Sequence, residues 1–197
     1  MSAVIRHMAS VHRVGWGNLV SAMSRKLGQW WLTTAQGEAG PFDAVVVAIP
    51  AEQAAAILSL HDFALAQKAL LARSQPCWTG MDIFDRPLDG LPPVIRHRGD
   101  IAWAARNNAK PGRSGPEAWV VQANGGWSES LLEHENDAIA ARLLAALREV
   151  TGVTLAEPVA AVAHRWRFAL SAGTGTGALW NPAIGLGACG DWLLGPR

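Results

Sequence analysis

The apolar positions of this chain change period several times, and each change marks a new element. Residues 2–9 place Val4, Ile5 and Met8 on one side of a short helix that Ser2 is positioned to cap. Residues 11–16, 18–24 and 29–34 have the β-like character of short strands, and Lys26-Leu27-Gly28 supplies a turn between the last two. Another turn is expected over 37–41. Residues 43–49 (DAVVVAI) are continuously apolar and rich in β-branched side chains, which predicts a strand buried on both faces. Pro50 then opens a helix over 51–58, and a second helix covers 63–72.

After these helices the pattern shifts to strands at 78–84, 94–97, 101–106 and 118–123, joined by Pro- and Gly-rich loops, as in a mixed or antiparallel sheet. Residues 136–150 form the clearest helix, because Ile139, Leu143, Leu144 and Leu147 recur at helical spacing and Gly152 follows. A strand over 159–170 leads into a glycine-rich stretch at 173–177, and 184–189 gives the last strand. The expected architecture is α/β (α+β overall) in two parts. One is discontinuous, 1–58 with 165–197; the other, 59–164, is inserted and carries the mixed or antiparallel sheet.

Composition narrows the class. The chain has 197 residues, half of them apolar and only 17% charged, which is the balance of a globular protein with a sizeable core. A formal net charge of +1 gives no reason to expect nucleic acid or an anionic membrane as partner. Cys77 and Cys189 lie far apart, with neither a disulfide framework nor a metal-ligand spacing, so a reducing compartment is expected. The first residues carry no secretory pattern, and the longest apolar run, 44–51, is far short of a membrane span. A soluble, cytoplasmic protein is the expectation. Ten tryptophans without a tyrosine are read mainly as core and interface area, with a few available to wall a pocket.

Two glycine patterns fail as dinucleotide fingerprints. Gly173-Thr-Gly-Thr-Gly177 follows a strand but has the wrong spacing and no helix after it, so a flexible loop is expected; Gly15-Trp-Gly17 lacks the third glycine. The closing stretch is more informative. Small residues at 185–190 let a ligand or backbone approach closely, and Gly190-Asp191 puts a carboxylate at the carboxyl end of a strand. That carboxylate can accept hydrogen bonds from ribose or ribityl hydroxyls, or it can cap a helix. Gly195-Pro196 would open a helix whose first N–H groups face a phosphate.

Five motifs in order, DAVVVAIPAEQAAAIL (43–58), WAARNNAKPGR (103–113), EAWVVQA (117–123), HRWRFAL (164–170) and GLGACGDWLLGPR (185–197), resemble the bacterial renalase-like FAD-dependent oxidoreductases. These belong to the amine-oxidase-type flavoprotein superfamily. The resemblance implies a discontinuous Rossmann-like FAD domain and an inserted substrate domain whose sheet roofs the flavin. It implies FAD contacts at Gly190, Asp191 and Trp192, and at the Ala48-Ile49-Pro50 crossover. It also implies a flavin oxidase acting on an amine or a dihydropyridine-type small molecule, with O2 or another acceptor. Members of that family begin with a strand and a G-x-G-x-x-G loop and continue past G-P-R into a helix. The expectation is therefore an internal piece with an incomplete FAD domain, associating with itself through an exposed apolar edge.

Substrate contacts are expected in two places. On the strand through His164, alternation puts His164, Trp166 and Phe168 on one face and Arg165 with Arg167 on the other, one face to stack and one to hold an anion. Arg106, Asn107 and Asn108 end a strand and offer guanidinium and amide donors, or form a turn. No catalytic acid or base stands out. The alternative function is a binding module that recognises a ligand or partner without redox chemistry; a nicotinamide enzyme is disfavoured because no G-x-G-x-x-G follows a strand.

Overall fold

A computed structural model describes residues 2–195, with side chains from residue 4 onward. The expected Ser2 cap and the expected helix start at Pro196, with Arg197, lie outside the described residues. The first helix, α1, spans Ser2–Ala9, and the apolar side formed by Val4, Ile5 and Met8 is exposed rather than packed. Residues 11–16 form no strand. Val11, Val14 and Trp16 face solvent there, and no neighbouring backbone pairs with the segment.

Strands β1 (Val20–Lys26), β2 (Gln29–Thr34) and β3 (Gly37–Phe42) form an antiparallel sheet in that order. Leu27 (φ 52°) and Gly28 (φ 85°) make the two-residue turn between β1 and β2; positive φ at both positions matches the twist of the hairpin and favours glycine. The turn expected at 37–41 is instead β3. The chain reverses at Ala35-Gln36, and Pro41 is accommodated because β3 lies at a sheet edge, where a missing N–H breaks no ladder.

Strand β4 is shorter than its apolar run, Val45–Val47, and helix α2 (Ala51–Leu58) follows directly, with Pro50 just before it. Helix α3 (Phe63–Leu71) is capped by Asp62, whose carboxylate accepts from Leu65 N–H at 3.0 Å. The second Asp62 oxygen accepts from the Asn181 amide at 2.7 Å, and these bonds hold its carboxyl below the ordinary carboxylate range.

A five-stranded antiparallel sheet comes next, built from β5 (Ser74–Phe84), β6 (Val94–Arg98), β7 (Ile101–Arg106), β8 (Glu117–Ala123) and β9 (Ala160–Ser171), in the order β6-β7-β8-β5-β9. Helices α4 (Gly125–Ser130) and α5 (Asn136–Thr151) cover one face. Trp78, Phe84, Trp119, Val121, Leu143 and Leu147 fill that interface. Helix α4 has no apolar period of its own; Asn124, accepting from Trp127 N–H at 2.8 Å, starts it.

The chain then returns. Strand β10 (Leu179–Asn181) pairs antiparallel with β11 (Leu186–Ala188), and β11 pairs parallel with β4. A short helix, α6 (Asp191–Leu194), ends the described chain. Here a second buried cluster gathers Met23, Trp30, Leu58, Leu65, Leu186 and Trp192, drawn from both ends of the sequence. Among the described residues the result is a mixed α/β fold with three sheets.

The small sheet has the order β10-β11-β4, so β4 is an edge strand. Val45 N–H donates to Gly185 O at 2.9 Å and Val47 O accepts from Cys189 N–H at 3.1 Å, which commits those residues toward β11. The N–H and C=O of Val46 therefore face outward, and its side chain is 56% exposed. The strand expected to be buried on both faces is thus covered on one side only.

Candidate functional site

Strands β4 and β11 run parallel, so their carboxyl ends lie side by side and deliver two loops to one place. Ala48-Ile49-Pro50 leaves β4 there, and Cys189-Gly190-Asp191 leaves β11. A hydrogen bond from Trp192 Nε1 to Ile49 O, 3.1 Å long, ties the two together, with the indole fully buried. Gly190 has to be glycine: a Cβ on it would sit 2.6 Å from Trp192 Nε1. All six residues expected to contact the cofactor are thereby gathered at one end of the small sheet.

The glycine-rich stretch is not a free loop. Thr174 N–H donates to Trp192 O at 3.2 Å and Thr176 N–H to Leu193 O at 3.1 Å, and a Cβ on Gly173 would lie 2.4 Å from Gly195 N. These small residues let the segment lie against the backbone of α6. Helix α6 begins directly at Asp191, and Gly195 closes it. Asp191 is exposed at the head of α6, beside the side-chain-free surface of Gly190. A carboxylate acceptor next to open backbone fits a hydroxyl-bearing group such as the ribityl or ribose part of FAD.

Beside this point lies an apolar cleft of about 610 Å3 between β4, α2 and the β1–β2 hairpin, lined by Leu19, Met23, Leu32, Val46, Ile49 and Ile57 among others. Its position along the open edge of β4 makes it continuous with the strand ends.

The second candidate region is the face of the five-stranded sheet opposite α5. Alternation on β9 holds: His164 and Trp166 pack edge to face on this side, ring centroids 4.6 Å apart. Trp166, Phe168, Ala169 and Leu170 line a cleft of about 360 Å3 with Cys77 and Gln122. Arg165 and Arg167 point to the other face, where both are occupied. Arg165 donates to Leu132 O at 2.6 Å and lies over the Trp78 ring. Arg167 grips Glu133 through two bonds of 2.7 and 2.8 Å, which hold the Glu133 carboxyl below its usual range.

Arg106, Asn107 and Asn108 lie together at the end of β7. Arg106 Nε lies 2.9 Å from Oε1 of the buried Glu117 as an ion pair without hydrogen-bond alignment, and Arg106 Nη2 donates to Leu88 O; Glu117 accepts from Trp119 Nε1 at Oε1 (2.7 Å) and from the Asn108 amide at Oε2 (3.3 Å). Asn108 Oδ1 accepts from Ala118 N–H, and Asn107 Oδ1 from Lys110 and Arg113. Asn108 thus fastens the end of β7 to β8, Arg106 is held between Glu117 and Leu88 O, and Asn107 is engaged through its oxygen alone.

Cys77, Gln122, Ala169 and Leu170 complete the sheet-face cleft but were not among the expected contacts. The two-residue period places Cys77 and Gln122 on faces of their own strands. Their meeting depends on the register, Thr79 opposite Gln122 on one side and Cys77 opposite Trp166 on the other, which no local pattern specifies.

Several solved structures share this fold. A protein of Exiguobacterium sp. 255-15 provisionally assigned as a protoporphyrinogen oxidase superposes with a TM-score of 0.69 at 19% identity, over 97% of this chain and 46% of that one. Putrescine oxidase bound to putrescine matches with a TM-score of 0.66 at 14% identity, over 98% of this chain and 47% of that one. Cyclohexylamine oxidase from Brevibacterium oxydans IH-35A gives 0.63 at 14% identity, with 89% and 42% covered. The chain thus spans just under half the length of the structures it matches. The family model for flavin containing amine oxidoreductases matches residues 1–190, nearly the whole sequence. This chain belongs to the flavin containing amine oxidoreductase family.

Proposed function

We propose that this chain supplies flavin and substrate contacts of an FAD-dependent oxidoreductase of renalase-like character. The reaction would be an oxidase reaction on an amine or dihydropyridine-type small molecule, with O2 or another acceptor. Family membership implies FAD as the cofactor. When bound, a flavin accepts a hydride from the substrate and later yields the electrons to the acceptor. The observation that carries the reading is the junction at the parallel strand ends, where Trp192 Nε1 bonds Ile49 O and holds Gly190-Asp191 against Ala48–Pro50.

In this reading Asp191 accepts hydrogen bonds from cofactor hydroxyls, Gly190 admits the cofactor backbone, and Trp192 positions both by anchoring the turn. The 360 Å3 cleft on the open sheet face receives the substrate. The two buried clusters support a division into an FAD part and a substrate part, with α3, expected in the inserted part, packed in the FAD-side cluster, and β9 continuing in the large sheet to Ser171, beyond the expected boundary at 164/165. Further cofactor contacts would come from polypeptide outside these residues, since the one G-x-G-x-x-G run, Gly185–Gly190, lies along β11 itself and not in a turn between a strand and a helix, and the chain covers under half of its solved relatives. Among the described residues no helix is long and apolar enough to cross a membrane.

Purified protein should carry flavin absorbance in the blue, or acquire it after incubation with FAD and desalting. A folded protein that stays colourless after that treatment would refute the cofactor reading. The sheet-face cleft would then stand as the site of a binding module.

A further inference from the structure

Charge is distributed unevenly across the five-stranded sheet. The three strands that line the 360 Å3 cleft carry few charged residues: Asp82 on β5, Glu117 on β8, and Arg165 with Arg167 on β9. All four lie on the helix side. Asp82 and Glu117 are buried there, and the arginines are held by Glu133 and Leu132 O. The cleft side of the same strands offers no carboxylate and no guanidinium; its titratable side chains are Cys77 and His164, the latter packed edge to face on Trp166.

What the cleft does offer is aromatic and apolar surface with a few polar groups. Trp166 is 53% exposed and Phe168 stands two residues along the same face. Cys77 is buried, and burial pushes its thiol above the ordinary range, so it stays uncharged near neutrality. The Gln122 amide is half-buried and has no hydrogen-bond partner among the described residues, which makes it a polar group available to a ligand. A cation reaches the neighbouring strand: Lys110 Nζ lies 6.0 Å from the ring centroid of Trp103, which pairs in register with Gln122.

We infer that this cleft selects an uncharged, ring-bearing molecule with one hydrogen-bonding group, stacked on Trp166 and oriented by Gln122, and that it rejects ammonium ions. An amine substrate would therefore have to enter as its free base. The inference rests on the assignment of this face to the substrate, and it narrows what that substrate is. An ammonium entering here would lose water without gaining a carboxylate, and would approach Lys110. A cation–π contact to an exposed ring, on the order of 0.5–1 kcal/mol, does not offset that loss. A neutral ring loses little on desolvation and gains stacking area and the Gln122 bond.

The test needs neither flavin nor turnover. Benzyl alcohol, benzylamine and putrescine share a small size but carry zero, one and two charges at neutral pH. Each is titrated into the protein by calorimetry, with saturation-transfer NMR for weak binding. Benzyl alcohol should bind at least about fivefold more tightly than benzylamine at pH 7, and putrescine should be weaker still. Trp166→Ala should weaken benzyl alcohol about tenfold or more, and Gln122→Leu by a smaller factor, with circular dichroism unchanged because both side chains are partly exposed. Raising the pH toward the amine's own pKa should bring benzylamine up to the affinity of the alcohol.

Putrescine or benzylamine binding as tightly as the alcohol at pH 7 would overturn the inference. Benzyl alcohol affinity indifferent to Trp166→Ala, or no binding of any probe, would do the same. FAD binding is measured separately, so a cleft that fails with the flavin reading intact is distinguished from the reverse.

Discussion

Asp82 offers the sharpest test of the packing. It lies on β5 between Gly80 and Phe84, facing α5, and is 1% exposed. Its Oδ2 has no hydrogen-bond partner among the described residues. Burial raises its pKa from the ordinary 3.8 to about 6, and the Arg148 charge offsets only part of that. Because the folded value lies above the unfolded one, the fold favours the protonated acid. The stability this protects is fully present below about pH 4, is lost as pH rises through about 6, and does not change further above that. At 1.36 kcal/mol per tenfold change in acidity, the ionised carboxylate costs the fold about 3 kcal/mol at pH 7.5 and about 1.5 kcal/mol at pH 5.

Asp82→Asn removes the charge and keeps the shape. The amide brings its own unsatisfied donor, worth about 1–2 kcal/mol, so the net gain at pH 7.5 should be about 1–2 kcal/mol. Urea denaturation of both proteins across pH 4.5–7.5 measures this. The advantage of the variant should shrink by about 1.5 kcal/mol between pH 7.5 and 5. An advantage independent of pH, or a variant less stable at pH 7.5, would refute the reasoning.

Other consequences follow from single contacts. Glu117→Gln leaves the Arg106 guanidinium without its charge partner at the β7–β8 junction and should cost about 2–4 kcal/mol in chemical denaturation, far more than a surface pair. Trp192→Phe removes the bond to Ile49 O and some core volume; a loss of about 1–3 kcal/mol in stability should accompany weakened FAD binding. The outward N–H and C=O of Val46 can pair with those of a second copy across a two-fold axis, and no charged side chain lines the neighbouring cleft to oppose it. Light scattering should then show concentration-dependent association that Val46→Lys abolishes; a monodisperse wild type would count against this.

The parts of the fold that were legible from the sequence are those where a period meets a punctuating residue. Helix α5 shows its apolar stripe and ends at Gly152, and the β1–β2 turn is written in Leu27-Gly28. Alternation on β9 assigned Trp166 and Arg165 to opposite faces, as observed. What remained hidden depends on partners distant in sequence. Strand β3 reads as a turn because Gly37, Gly40 and Pro41 disfavour strands, yet β2 pairs with it. Strand β10 is three residues long and exists through its ladder to β11. The run at 43–49 signals two-sided burial, but only β11 pairs with β4 among the described residues. For the site, the small residues and the carboxylate at 187–191 were visible locally. The roles of Arg106 and Arg167 were not, because Glu117 and Glu133 become their partners only through tertiary contacts.

The central claim is that the paired strand ends form a flavin contact, and direct titration with FAD tests it most simply. Quenching of flavin fluorescence should saturate at one equivalent per chain. Gly190→Ala, whose Cβ would collide with the Trp192 indole, and Asp191→Ala should each weaken the binding about tenfold or more. The Asp191→Ala variant should keep the circular dichroism spectrum of the wild type. Absence of saturable binding, or equal affinity in the wild type and Asp191→Ala, would contradict the account.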